Sequence, residues 1–155
     1  MSNSLQDSPA LIVRQLLVDL GLAMIPVIPI VSNSWPVYYS FLPDQPDQAI
    51  CVYSTTGIKQ GRFQVSGATQ IHHGIQVVVR SRTAAEQKAR AIYKALDEQV
   101  ANAVVDVGDS TYEVQAVSHA GEVREVGLEA PITKRNFFIF NSVVAIEPLV
   151  LGTGT

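Results

Sequence analysis

The segment that most constrains the fold is residues 134–147, a long run of strand-forming residues that is apolar on both faces. Successive side chains of a strand point to opposite sides, so Phe138 and Phe140 share one face while Phe137 and Ile139 share the other. A strand of this kind belongs inside a sheet that is covered on both sides. Pro148 predicts its end.

Two segments show the periodicity of amphipathic helices. In the first, Ser8 and Pro9 predict the N-cap and the first helical position, and Gly21 predicts the C-terminal end. In the second, Thr83 and Glu86 have the spacing of a capping box. The predicted buried stripe of this second helix consists of Ala85, Ala89, Ile92, Leu96 and Val100.

Several shorter segments read as strands, at residues 37–42, 49–54 and 74–81, and as a hairpin of residues 104–107 and 111–117. The sequence therefore predicts an α+β fold, with a largely antiparallel or mixed sheet and two main helices packed on one face. Glycine-punctuated or polar residues at 57–67 and 121–131 predict extended arms. We expect one domain over residues 1–148 and a flexible tail over residues 149–155.

Two helices of this length cover only one face of such a sheet. The other face carries Phe137 and Ile139, and either the arms of the same chain or a neighbouring subunit must cover it. We favour the neighbour, because homo-oligomers are common. Further interface candidates are Leu11 and Val18 on the outer side of the first helix, and the aromatic residues Trp35 and Tyr38, for which core packing is the alternative.

Composition limits the classes of partner. The chain has 155 residues, is 47% hydrophobic and 16% charged, and carries a net charge of −3, which argues against a general affinity for nucleic acid. Its single cysteine cannot form an internal disulfide. The most apolar stretch, residues 20–31, contains Pro26 and Pro29 and is shorter than the about 18 residues of a membrane span. We expect a soluble intracellular protein without a membrane partner.

No catalytic or metal-binding motif stands out. His72 and His73 are adjacent on an extended segment and point in opposite directions, which suits metal binding poorly. Cys51 lies inside an apolar strand and reads as a core residue, and Asp44 and Asp47 flank a proline turn. Residues 54–59 lack the residue order of a phosphate loop. The sequence predicts a protein that is not an enzyme and has no cofactor.

The order of several motifs resembles that of a phage family known as minor capsid or tail terminator proteins, which is similar to the lambda-type tail terminators. The resemblance spans roughly residues 8–147. The motifs that carry it are residues 8–21 (SPALIVRQLLVDLG), 35–38 (WPVY), 42–47 (LPDQPD), 74–80 (GIQVVVR), 95–97 (ALD) and 135–137 (RNF), and Asn141.

The resemblance implies a hexameric ring that closes the head-proximal end of the tail tube, stops tube polymerisation and offers a docking surface to the head. The implied partners are other copies of the chain, the tail tube protein, the neck or head completion protein and the tape-measure protein, with the sheath added in a contractile tail. The protein would reside in the virion tail, after assembly in the host cytoplasm.

In such a ring DNA passes through the lumen, and basic residues on the arms could face it. The candidates are Arg62, Arg124, Lys134 and Arg135, whose alternative role is that of solvated loop charges. Two other functions stay open. One is another neck component, such as a head completion or stopper protein, and the other is a small ligand-binding α+β module.

Overall fold

The computed structural model describes residues 5–29, 31, 33–62, 69–128, 134–150 and 152. The described elements confirm the predicted α+β class, with two helices and seven strands. In chain order they are α1 (Pro9–Asp19), β1 (Val37–Tyr39), β2 (Ala49–Arg62), β3 (Thr69–Ser81), α2 (Ala85–Gln99), β4 (Ala103–Val107), β5 (Ser110–His119), β6 (Arg124–Leu128) and β7 (Asn136–Val150).

The final strand β7 lies at the centre of the sheet, as its two apolar faces require. The strand order is β1-β2-β3-β7-β5-β4, and β6 pairs with β7 on the same edge as β5. The β1–β2 pair is parallel and the other pairs are antiparallel, so the sheet is mixed. The predicted end at Pro148 is wrong, because β7 continues to Val150; a register irregularity beside Tyr112, the partner of Pro148, accommodates the proline.

Helix α1 begins and ends as its sequence predicts. Ser8 is the N-cap in an extended conformation, and its hydroxyl accepts a hydrogen bond of 3.2 Å from the Leu11 N–H. Pro9 occupies the first turn, where a missing N–H costs nothing. After the C-cap residue Leu20, Gly21 adopts a φ of 76°, a conformation that glycine reaches without strain.

Helix α2 buries the predicted stripe, but its capping box is wrong. The N-cap is Ala84, and no side chain caps the helix from that position. Instead, the hydroxyl of Ser81, at the end of β3, accepts hydrogen bonds of 3.3 Å from the N–H groups of Thr83 and Ala84. Ser81 is buried, so its hydroxyl stabilises the turn between β3 and the helix, upstream of the first helical residue Ala85.

The main core lies between the helices and one face of the sheet. Helix α1 packs against β1, β2, β3 and β4, and α2 packs against β3, β5 and β7. Because α1 contacts both outermost strands, β1 and β4, the sheet curls around it. The core includes Ile12, Leu16, Leu17, Val77, Ile92, Leu96, Phe140 and Val144. We call the opposite side of the sheet the outer face.

The predicted arms are largely continuations of the sheet. Strands β2 and β3 extend well beyond the predicted residues 49–54 and 74–81 and pair antiparallel with each other; residues 63–68 lie outside the described residues. The polar arm predicted at residues 121–131 contains β6, which pairs with the first residues of β7. Strand β1 is shorter than predicted and ends before Ser40, where φ is 62°.

The turn before α2 gives a direct test of which hydroxyl stabilises it. We expect Ser81→Ala to lower the free energy of unfolding by about 1 kcal/mol, the typical net contribution of a buried hydrogen bond. Thr83→Ala is the matched control and should change it by less than about 0.5 kcal/mol, as for an exposed residue. Urea denaturation followed by circular dichroism measures both, and a larger loss for Thr83→Ala would contradict the structure.

Candidate assembly surfaces

The outer face is covered in part by the chain itself. Residues 40–48 fold back over it, because the backbone of Phe41 contacts the Cys51 thiol and the backbone of Leu42 contacts the Tyr53 side chain. On this face, Cys51, Val78 and Ile139 form a cross-strand row whose members are all buried. The sequence left open whether the same chain or a neighbouring subunit covers the outer face. Around Cys51 and Tyr53, the same chain covers it.

Two buried arginines hold that loop in position. Arg80 is 2% exposed, and its guanidinium donates to the backbone carbonyls of Asp44, Pro46 and Asp47. Arg135 is 1% exposed; it donates to the Asp44 carbonyl and forms a 3.0 Å ion pair with the Asp44 carboxylate. We call residues 40–48 together with these two arginines the clamped loop.

The clamped loop corrects the expectation for Arg135. This residue was a candidate for a solvated or lumen-facing arm charge, but it is buried because the turn carbonyls and carboxylates surround its guanidinium. Burying a guanidinium is costly unless several acceptors replace water, and the turn supplies them. Asp44 and Asp47 keep their predicted turn role and also act as ion-pair partners, with Arg82 bound to Asp47 at 2.8 Å.

Cys51 is a core residue, as its sequence context predicts. Its side chain is fully buried, and burial raises the pKa of the thiol above its ordinary value. Burial also raises the pKa of the neighbouring Tyr53 hydroxyl to about 12. Both groups therefore stay protonated near neutral pH, and the thiol is not an activated nucleophile.

The three histidines lie at two places in the sheet. His72 and His73 are neighbours on β3 opposite Ala145 and Val144 of β7, and burial, followed by the charge of His72, lowers the pKa of His73. His119 stacks on Tyr93 with the ring centroids 3.7 Å apart, and its ring nitrogens contact Ser142 and the Tyr93 carbonyl. Among the described residues, no three histidine, cysteine or acidic side chains are grouped to hold a metal ion.

The remaining interface candidates differ in exposure. Leu11, Val18 and Phe137 are half-buried, as is Tyr38 on the outer face, whereas Ile139 is buried. Trp35 packs partly against the core, with the Lys88 ammonium 5.5 Å from its ring centre. Arg124 and Lys134 are exposed on the surface. The backbone of Arg62 ends β2, and its side chain lies outside the described part of the chain.

Sequence reasoning missed the most exposed apolar side chains. Ile28 is 98% exposed and Phe41 is 70% exposed, and further exposed apolar residues lie near both outermost strands of the sheet. Residues 20–31 could have indicated the part of this surface that they form. Their prolines exclude a helix, and they contain fewer polar residues than an ordinary loop. Contiguous apolar surface of this kind typically marks a contact with another protein.

Two surface cavities are small. One, of about 290 Å³, is lined by Arg90, Tyr93, Glu122 and Val123. The other, of about 210 Å³, lies beside Trp35 and Lys88 on α2. Both volumes are below the range of about 300–1,000 Å³ that is usual for small-molecule sites. Neither helix in the described part of the chain is long and apolar enough to cross a membrane.

These features describe a small α+β protein whose most unusual property is its exposed apolar surface. The chain belongs to the bacteriophage tail terminator family, because the family model described as "Bacteriophage tail terminator protein" matches residues 11–121. This is a family of structural proteins of the phage tail. The resemblance seen in the sequence is thereby confirmed at the level of the family.

Comparison with individual proteins adds little. No curated protein matches the chain. One similar solved structure, of a protein without a functional name, is 18% identical, covers 79% of this chain and 84% of its own, and has a TM-score of 0.44. A likeness of this size supports no functional argument.

The clamped loop predicts which arginines matter for stability. We expect Arg80→Met and Arg135→Met each to lower the free energy of unfolding by about 3 kcal/mol, since the first removes the donor to the Pro46 and Asp47 carbonyls and the second removes the ion pair with the Asp44 carboxylate. Arg82→Met is the control, because its ion pair with Asp47 is exposed and should contribute less than about 1 kcal/mol. Equal losses for all three variants in urea denaturation would show that the buried pair has no special role.

The burial of Cys51 predicts its reactivity. We expect the native protein to react with Ellman's reagent at pH 8 far more slowly than the protein unfolded in guanidinium, because the thiol is inaccessible and its pKa is raised. Absorbance of the released thiolate follows the reaction. Rapid labelling under native conditions would mean that the clamped loop does not cover this part of the outer face.

Proposed function

We propose that this chain is the protein that closes the head-proximal end of a phage tail tube, as a hexameric ring of identical subunits. The observation that carries the proposal is the family match over residues 11–121. The exposed apolar side chains support it, since a monomer that works alone gains nothing from side chains as exposed as Ile28 and Phe41. The ring stops tube polymerisation and then serves as the docking surface for the filled head.

The task needs shape and surface chemistry only. A tube grows by adding rings head to tail, so each ring offers one face to the ring below and a different face to the ring above. A terminator must imitate the face that binds the tube and lack the face that would accept another tube ring. No covalent bond is made or broken, and no catalytic side chain or cofactor takes part.

The proposed partners follow from the position at the end of the tube. One face of the ring contacts the tube protein and the tape-measure protein inside it, and the other contacts the neck or head completion protein. In a contractile tail the sheath would also touch the ring. DNA passes through the lumen during ejection, and the exposed Arg124 and Lys134 are the candidates for facing it.

A tube-growth assay tests this function. Purified tube protein is polymerised from tail tips with and without the chain, and tube lengths are measured by negative-stain electron microscopy. We expect the chain to stop growth at amounts near one ring per tube, leaving a cap at one end. Tubes that keep growing without caps would contradict the proposal.

The same preparation separates a terminator from another neck component. A head completion or stopper protein should bind filled, tailless heads and leave bare tubes unaffected. A terminator should bind bare tubes first, and only the capped tubes should join heads. Binding to heads alone would therefore assign the chain to the neck instead of the tube end.

A further inference from the structure

Two surfaces with complementary properties lie at the two outermost strands of the sheet. The first, which we call the β1-edge surface, flanks β1 and consists of the exposed apolar residues Ile25, Val27, Ile28, Val31, Tyr39 and Phe41. The second, which we call the β4-edge surface, carries the exposed apolar residues Val104, Leu149 and Val150. Apolar area exposed at both ends of one sheet is a pattern expected for contacts between copies.

Two cations that lack carboxylate partners within the described residues lie beside aromatic rings at this edge, Tyr39 of β1 and Trp35, two residues before the strand. The Arg14 guanidinium lies 5.0 Å from the Tyr39 ring centre, and its Nε is buried without a hydrogen-bond acceptor. The Lys88 ammonium lies 5.5 Å from the Trp35 ring centre, and burial lowers its pKa. A half-buried cation without a counter-ion is unfavourable in the isolated chain and becomes favourable when a carboxylate docks on it.

The β4-edge surface has the opposite charge. Strand register joins Val104, Glu113 and Glu147 in one row and Asp106, Thr111 and Val150 in the next, so carboxylates and apolar side chains alternate on it. No lysine or arginine occurs between Lys94 and Arg124, or after Arg135. The described contacts of these carboxylates are neutral ones, from Gln115 to Glu113 and Glu147 and from Thr111 to Asp106.

The edge of the sheet is also open on this side. In the described part of the chain, β4 pairs with β5 alone, whereas at the other side of the sheet a bridge joins Met24 to Pro36, the residue before β1. An unpaired strand edge invites a neighbour, and apolar groups beside it strengthen the contact. Each surface therefore offers what the other lacks.

From this complementarity we infer that the β1-edge surface of one copy docks on the β4-edge surface of the next, with Arg14 and Lys88 facing Asp106 and Glu147. The inference rests on the proposed ring and names the surfaces that build it. Because the two surfaces differ, the contact is head to tail, and its repetition around an axis closes a ring. The charges fix the partner and its orientation, and the apolar side chains supply most of the buried area.

A charge-swap experiment tests the pairing. One variant carries Arg14→Glu and Lys88→Glu, and the other carries Asp106→Lys and Glu147→Lys. Each variant alone places like charges across every contact, so we expect self-association to weaken by about tenfold or more. Mixed in equal amounts, the two variants should alternate around an even-numbered ring with opposite charges across every contact, and rings should return.

The readouts are analytical ultracentrifugation of the chain alone and counts of capped tail tubes in negative stain. Loss in both single preparations with recovery in the mixture supports the pairing. The pairing is overturned, while the proposed function stands, if either variant alone forms rings normally. It is also overturned if both variants are folded and their mixture does not form rings. A wild-type chain that neither forms rings nor caps tubes removes the proposed function and the pairing with it.

A second pair of variants tests the same surface if the charge-swap variants fail to fold. Ile28→Ser changes a side chain that is 98% exposed, so it should leave the circular dichroism and the unfolding midpoint unchanged while weakening association by about tenfold. Val126→Ser alters an exposed apolar side chain of β6, outside both surfaces, and should have no effect on association. Equal behaviour of the two variants would count against the β1-edge surface.

Discussion

The structure depends on the burial of β7 from both sides. Phe140 and Val144 pack into the helix-covered core, while Ile139 is buried on the outer face. A strand with two apolar faces must take a central position in a sheet, and β7 pairs with β3 on one edge and with β5 and β6 on the other. The remaining elements are arranged to cover it.

The clamped loop covers part of the outer face and is held there by polar contacts. Arg80 and Arg135 lie beneath a proline-containing turn and bind its carbonyls, so the turn is held against the outer face without an additional helix. The carboxylates of Asp44 and Asp47 balance the buried charge. The loop covers the part of the outer face that contains Cys51 and Tyr53, and most of the exposed large apolar side chains lie near the two outermost strands of the sheet.

Local sequence patterns predicted the elements that depend on local physics. The N-cap at Ser8, the stripe of α2 and the two-faced strand all follow from neighbouring residues, and the structure confirms them. The errors concern contacts between distant residues. Thr83 does not cap α2, whose N-cap is Ala84, and Arg135 is buried because residues 44–47, far away in the chain, surround it. The relation between the β1-edge and β4-edge surfaces was equally hidden, because their proximity to the sheet edges depends on strand order.

The central claim is that this chain works by surface complementarity to copies of itself at a tube end. A cryo-electron microscopy map of tail tubes capped with the chain tests it most directly. The account predicts one closed ring of identical subunits at a single tube end, with Ile28 and Val104 buried between neighbouring copies. A map with isolated subunits, or with a ring in which both residues face solvent, would contradict it.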